Sequence, residues 1–221
     1  MNTILESRQY AIITGISYLI IFFSAIFANF FVLESILQDP LNTVQHDRTL
    51  VSAGIIAFLI TVVFDVVVAW SLFQLYKGNP LSGLSALFRM MHATIMAVAI
   101  FSLPAVLALD SSSAILDRVN DFNTIWLIGL FFFGMHLITL AAIVGKPRFI
   151  VFFLIVSGFM YMVDTVAHFT IADYENYADV FLMLVAVPSI FGEMSLAIWL
   201  LFNGGKEATV APTFQERIRA S

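Results

Sequence analysis

Cysteine is absent from this chain of 221 residues, which excludes disulfides, thiolate-bound zinc, iron–sulfur clusters and thiol nucleophiles. Charge is nearly as scarce. Asp, Glu, Lys and Arg together make up 11% of the sequence, against about 25% in a soluble domain. No basic stripe of the kind that nucleic acid requires is present, so nucleic acid is not an expected partner. There is no P-loop and no Rossmann glycine fingerprint, so nothing marks a nucleotide site. Ser157, Ser189 and Ser195 are candidate groups for Ser/His/Asp catalysis, but none belongs to a nucleophile-elbow motif. Apolar residues fill the chain instead. It is 61% hydrophobic with 23 phenylalanines, and its mean hydropathy is +0.97.

Six stretches meet the length of about 20 mainly apolar residues that a bilayer demands, at approximately 10–37, 50–77, 83–109, 122–145, 148–171 and 178–203. Only helices and closed barrels satisfy the backbone in lipid, and the stretches lack a barrel's alternation. The expected fold is therefore all-α. It consists of one integral membrane domain of six transmembrane helices over residues 1–205, then a short cytoplasmic tail, 206–221. The first stretch is too long for a signal-peptide core and reads as a retained helix. Gly78-Asn79-Pro80 and Gly145-Lys146-Pro147 mark tight turns, whereas about 38–49 and about 110–121 read as longer polar loops.

The few basic residues set the orientation. Arg8, Lys77, Lys146, Arg148, Lys206, Arg217 and Arg219 fall on one side, and Arg48 and Arg118 on the other. By the positive-inside rule both termini are cytoplasmic. The acidic residues of the connections, such as Asp39, Asp110 and Asp173, collect on the opposite side. The expected location is the bacterial cytoplasmic (inner) membrane.

Six ionisable side chains interrupt the apolar segments: Asp65, Arg89, His92, His136, Asp164 and Glu193. A charge near the bilayer centre costs about 2.5–3.5 kcal/mol on insertion scales, so these groups are expected to meet inside the bundle. At about 1.5 Å rise per residue, Arg89, His92, His136 and Glu193 share one layer roughly 9–15 Å from the termini side. Asp65 and Asp164 come next, at roughly 18 and 24 Å. Arg89 and His92 share a helical face, as do Asp164 and His168, and Tyr161 joins the face of Asp164. Pro188 loosens the last helix one turn before Glu193. One arginine against three carboxylates leaves an excess of two negative charges. Protons on the carboxylates, an imidazolium at His92 or His136, or a bound cation must balance it.

Around these residues the chain resembles a family of small bacterial membrane proteins catalogued as a domain of unknown function. Four pieces carry the resemblance: Arg89-Met-Met-His92-Ala93, Phe133-Gly134-Met135-His136, Gly158-Phe-Met-Tyr161-Met-Val-Asp164 and Pro188-Ser-Ile-Phe-Gly192-Glu193. The resemblance implies a compact multi-helix membrane domain. It implies no reaction, substrate or cofactor.

The residues themselves leave several functions open. The favoured one is binding or transport of a small polar or cationic ligand, coupled to protons, by Asp65, Arg89, His92, His136, Tyr161, Asp164 and Glu193. Six helices are few for alternating access, so a homodimer or a membrane-protein partner is part of that reading. An intramembrane enzyme is the alternative, with a divalent metal on His92, His136, Asp164 and Glu193 acting on a lipid-like substrate, although no metal-binding spacing supports it. Haem b between His92 and His136, or a purely structural subunit, completes the set. The orientation is directly testable. Alkaline phosphatase fused after Lys206 is expected to be inactive and a fluorescent protein fused there to fluoresce. The opposite pair of results would invert the topology.

Overall fold

The computed structural model describes residues 2–206, with side chains from Glu6 onward. The predicted tail, with Arg217 and Arg219, therefore lies outside the described residues apart from Lys206. Among the described residues six helices are long and apolar enough to cross a bilayer: Glu6–Gln38, Arg48–Leu75, Ser82–Val106, Ser112–Val144, Arg148–Thr170 and Tyr174–Phe202. Among the described residues there is no strand. The fold is all-α, as the composition requires.

Each helix packs against its neighbours in sequence, and the sixth returns to the first, so the six form a closed up-and-down ring. Both ends of the described chain lie at the same end of the ring, here termed the termini end. Gly145, at φ 63°, ends the fourth helix in the left-handed conformation that glycine tolerates. This is the turn expected from Gly145-Lys146-Pro147.

The two predicted polar loops are largely helical. Pro40–His46 forms a short helix, and the fourth long helix already begins at Ser112. Its first turns are amphipathic. Ile115, Val119 and Phe122 are buried, while Asp117, Arg118 and Asp121 face outward. The charged residues of 112–121 conceal an apolar face at helical spacing, which packs beneath the Pro40–His46 and Leu103–Val106 helices.

Close approach of helices depends on glycine. A Cβ at Gly134 would stand 2.5 Å from the Gly158 carbonyl oxygen, and one at Gly158 would stand 2.6 Å from that of Gly134. The fourth and fifth helices therefore touch backbone to backbone.

Two long helices depart from α geometry. The first is α-helical over Asn2–Ile26, π-helical over Phe27–Leu33 and α-helical again over Glu34–Gln38. The sixth carries a π-helical turn at Ile190–Met194, directly after Pro188. Proline has no N–H to donate to the Leu184 carbonyl one turn earlier, so two departures from α hydrogen bonding fall in succession on this helix. Glu193 sits within that turn.

The apolar interior forms two clusters. One lies toward the termini end and includes Leu72, Leu137, Leu154 and Leu200. The other lies toward the far end and includes Val32, Phe58, Ile115 and Phe122. The ionisable residues occupy the layer between them. The crossing of the fourth and fifth helices predicts a marked asymmetry between glycines. Gly158→Ala is expected to lower stability by about 1–3 kcal/mol through overpacking. Gly83→Ala, where the added methyl meets open space, is expected to be neutral or slightly stabilising. Thermal unfolding of both variants in mild detergent checks this.

Candidate functional site

Arg89 is fully buried on the third helix, and its guanidinium gathers three other helices. Nη2 donates to Asp65 Oδ1 of the second helix at 2.5 Å. Nη1 donates to Tyr18 Oη of the first at 2.8 Å and to His136 Nε2 of the fourth at 3.2 Å. The guanidinium carbon also lies over the rings of Tyr18 and Phe133, at 4.8 and 5.2 Å.

These contacts fix the state of His136. An arginine only donates, so Nε2 must accept, and the ring proton sits on Nδ1. Nδ1 lies 2.9 Å from the Ser85 carbonyl, an acceptor only, and 2.9 Å from Ser85 Oγ. His136 is thus a neutral imidazole with both nitrogens engaged. His92 stands one turn from Arg89 with Nε2 at 3.7 Å from Asp65 Oδ2.

Beside this lock is a cavity of about 160 Å³ to which all six helices contribute. Tyr18, Asp65, Arg89, His92 and Phe133 form one side, and Tyr161, Ser189 and Glu193 the other. A hydrogen-bond chain arms the second side. Ser189 Oγ donates to Glu193 Oε1 at 2.5 Å, so it accepts from Tyr161 Oη, 2.9 Å away. Glu193 forms no ion pair with any described residue.

With that geometry established, comparison with known proteins is informative. A family model described as a domain of unknown function, DUF4386, matches residues 13–204. The chain belongs to the DUF4386 family. The matched region includes every residue of the lock and the cavity. A similar protein from Archaeoglobus fulgidus, described as an uncharacterized protein, is 27% identical over 166 residues, covering 72% of this chain and 89% of its own length. No solved structure matches.

In this DUF4386 protein, six of the seven residues predicted to act together do assemble: Asp65, Arg89, His92, His136, Tyr161 and Glu193. All but His136 line the cavity. Asp164 stands apart. It accepts from Tyr174 Oη at 2.6 Å, and the Tyr174 ring packs against His168 at 4.7 Å and stacks on Phe181 at 5.4 Å. Asp164 thereby pins the start of the sixth helix to the fifth. The excess of carboxylates over Arg89 around the cavity is then one rather than two. His46 bonds to Asn42 O within its own short helix.

The predicted cofactor sets do not form. His136 is consumed by Arg89 and Ser85, and Asp164 belongs to another cluster. Among the described residues no group of three His, Asp or Glu converges as a metal centre. Haem between the two histidines does not fit either. The Phe133 ring fills the space a porphyrin needs, at 4.8 Å from the His92 ring and 5.9 Å from that of His136.

Sequence reasoning left Tyr18 as an ordinary packing residue and did not single out Ser85. The signal for both was helical spacing. Ala11, Thr14 and Tyr18 repeat every three or four residues and are all buried. Ser82, Ser85, Arg89 and His92 do the same on the third helix.

The Arg89–Asp65 pair generates a two-variant test. Arg89→Ala leaves Asp65 buried without a partner and is expected to cost about 3–5 kcal/mol. Arg89→Met combined with Asp65→Leu removes both charges and should recover more than half of that loss. Unfolding in detergent measures both, and an equal loss in the two variants would show that the pair is not the organising contact.

Proposed function

We propose that this protein binds, and carries across the membrane, a small polar or cationic ligand held in the cavity at the centre of the ring. Charge balance carries the reading. Arg89 pairs with Asp65, His136 is neutral, and Glu193 faces the same cavity as Arg89 without forming an ion pair with any described residue. A lone carboxylate in a low-dielectric interior requires a proton or a positive group. The ligand supplies that group, or Glu193 holds a proton in its absence. Binding then exchanges a proton for a cation, which is the elementary step of proton coupling.

The residues divide into two roles. Asp65, Arg89, Tyr18 and His136 hold the helices in register. Glu193, Ser189, Tyr161 and His92 meet the ligand. Pro188 and the π turn place Glu193 where the backbone departs from α geometry and the sixth helix passes from packing on the fifth helix alone to packing on the first as well. Six helices with tight turns offer few bodies to rock against each other, so transport runs through a homodimer. The distribution of basic residues supports a bacterial cytoplasmic membrane with both termini inside.

The test uses methylammonium as probe. Methylammonium chloride, compared with equal sodium chloride, is expected to raise the melting temperature of the purified protein by several degrees, since a ligand at ten times its Kd adds about 1.4 kcal/mol. Glu193→Gln should remain folded and lose the effect. An equal response in both proteins would remove Glu193 from the site.

A further inference from the structure

Resting on that cavity as the binding site, we propose that its occupant is an amphiphile, a single-tailed molecule with a cationic head, which enters sideways from the membrane between the first and sixth helices. The axial routes are closed. Toward the far end the rings of Phe58, Phe122 and Trp126 pack on one another with centroids 4.8–5.2 Å apart. Toward the termini end lie Leu137, Leu140, Leu196 and Leu200, all essentially inaccessible.

The seam between the first and sixth helices is closed along only half its length. At the termini end it is stitched tightly. Arg8 Nη1 donates to Leu200 O and Gly204 O at 2.9 Å each, and Nη2 donates to Leu201 O. A Cβ at Gly15 would stand 2.9 Å from Ala197 O. Beyond the π turn the sixth helix packs on the fifth rather than on the first. Its Ala178–Ser189 stretch accordingly buries only Val185 and Ser189. The seam opens at the level of the cavity, where Phe22 and Ala25 of the first helix and Ile190 and Met194 of the sixth line the passage. Ile190 is 47% exposed.

An apolar mouth leading to a carboxylate matches a molecule that is greasy at one end and positive at the other. Size points the same way. The cavity of about 160 Å³ is comparable to a void of about 150 Å³ that takes benzene, so it admits a head of about six heavy atoms. A longer tail stays in the slit among lipid chains.

The absence of cysteine makes the test clean. A long-chain alkylamine with a mid-chain diazirine is photolysed with the full-length protein in lipid nanodiscs, and the labelled residues are mapped by mass spectrometry. Labelling at the Phe22–Ile190 mouth is expected, at least tenfold above that given by the equal-length diazirine alcohol, and lost in Glu193→Gln. In Phe22→Cys/Ile190→Cys, bridging the thiols with a reducible bifunctional reagent should cut labelling at least tenfold, and reduction should restore it. This reversibility separates blocked access from misfolding. Labelling unchanged by the bridge, together with Glu193-dependent stabilisation by methylammonium, would overturn the lateral route and keep the cavity reading. Absence of any Glu193-dependent effect from either probe would overturn both. Bridges forming between protomers rather than within one would fill the slit with a second copy and overturn the proposal.

Discussion

A guanidinium in the middle of a membrane bundle must find acceptors before anything else can settle. Arg89 has no route to water, and an ion of its size pays several kcal/mol of desolvation that only well-placed partners offset. Its partners come from the first, second and fourth helices, so the positions of four of the six helices are settled together. The neutral tautomer of His136, its bond to Ser85 and the orientation of Tyr18 all follow from the fact that arginine can only donate. The cavity is what remains on the side that the arginine does not fill.

The ring is accordingly uneven. Where the lock acts, the polar contacts are close, although Arg89 Nε and His92 Nδ1 stay buried without a hydrogen-bond partner, and glycines press the fourth helix to the fifth. On the opposite side, the sixth helix contains a proline and a π turn and has one firm neighbour along its first half. The carboxylate without an ion partner sits on the loosely held side. Rigid and adaptable regions thus meet at one cavity, as binding sites in bundles commonly require.

Much of this was legible in the sequence because membrane burial of charge is so costly. Arg89, Asp65, His92, His136 and Glu193 were recognisable as a group from the cost of burying charge, their neighbouring depths and their helical phase, and six helices from the apolar runs. Asp164 was misgrouped for a physical reason. Depth and phase say which face a side chain is on, but its partner Tyr174 arrives through the turn at 171–177, which no periodicity describes. The helix at 112–122 was hidden because its charges drew attention away from Ile115, Val119 and Phe122. Tyr18 was given no role because a tyrosine in an apolar helix has several ordinary uses, and only the arginine's geometry selects one. The slit was beyond reach from sequence, since it depends on two helices diverging rather than on any residue being unusual.

The stitch between Arg8 and the end of the sixth helix also fixes an order of events. The groups that Arg8 binds, the carbonyls of Leu200, Leu201 and Gly204, belong to some of the last described residues that a ribosome makes. During synthesis the first helix must therefore reside in the membrane with its arginine unsatisfied by protein while five more helices are inserted. Ring closure is the final step of assembly. Any chain truncated before the sixth helix is left an open arc, with Gly15 and its neighbours facing lipid.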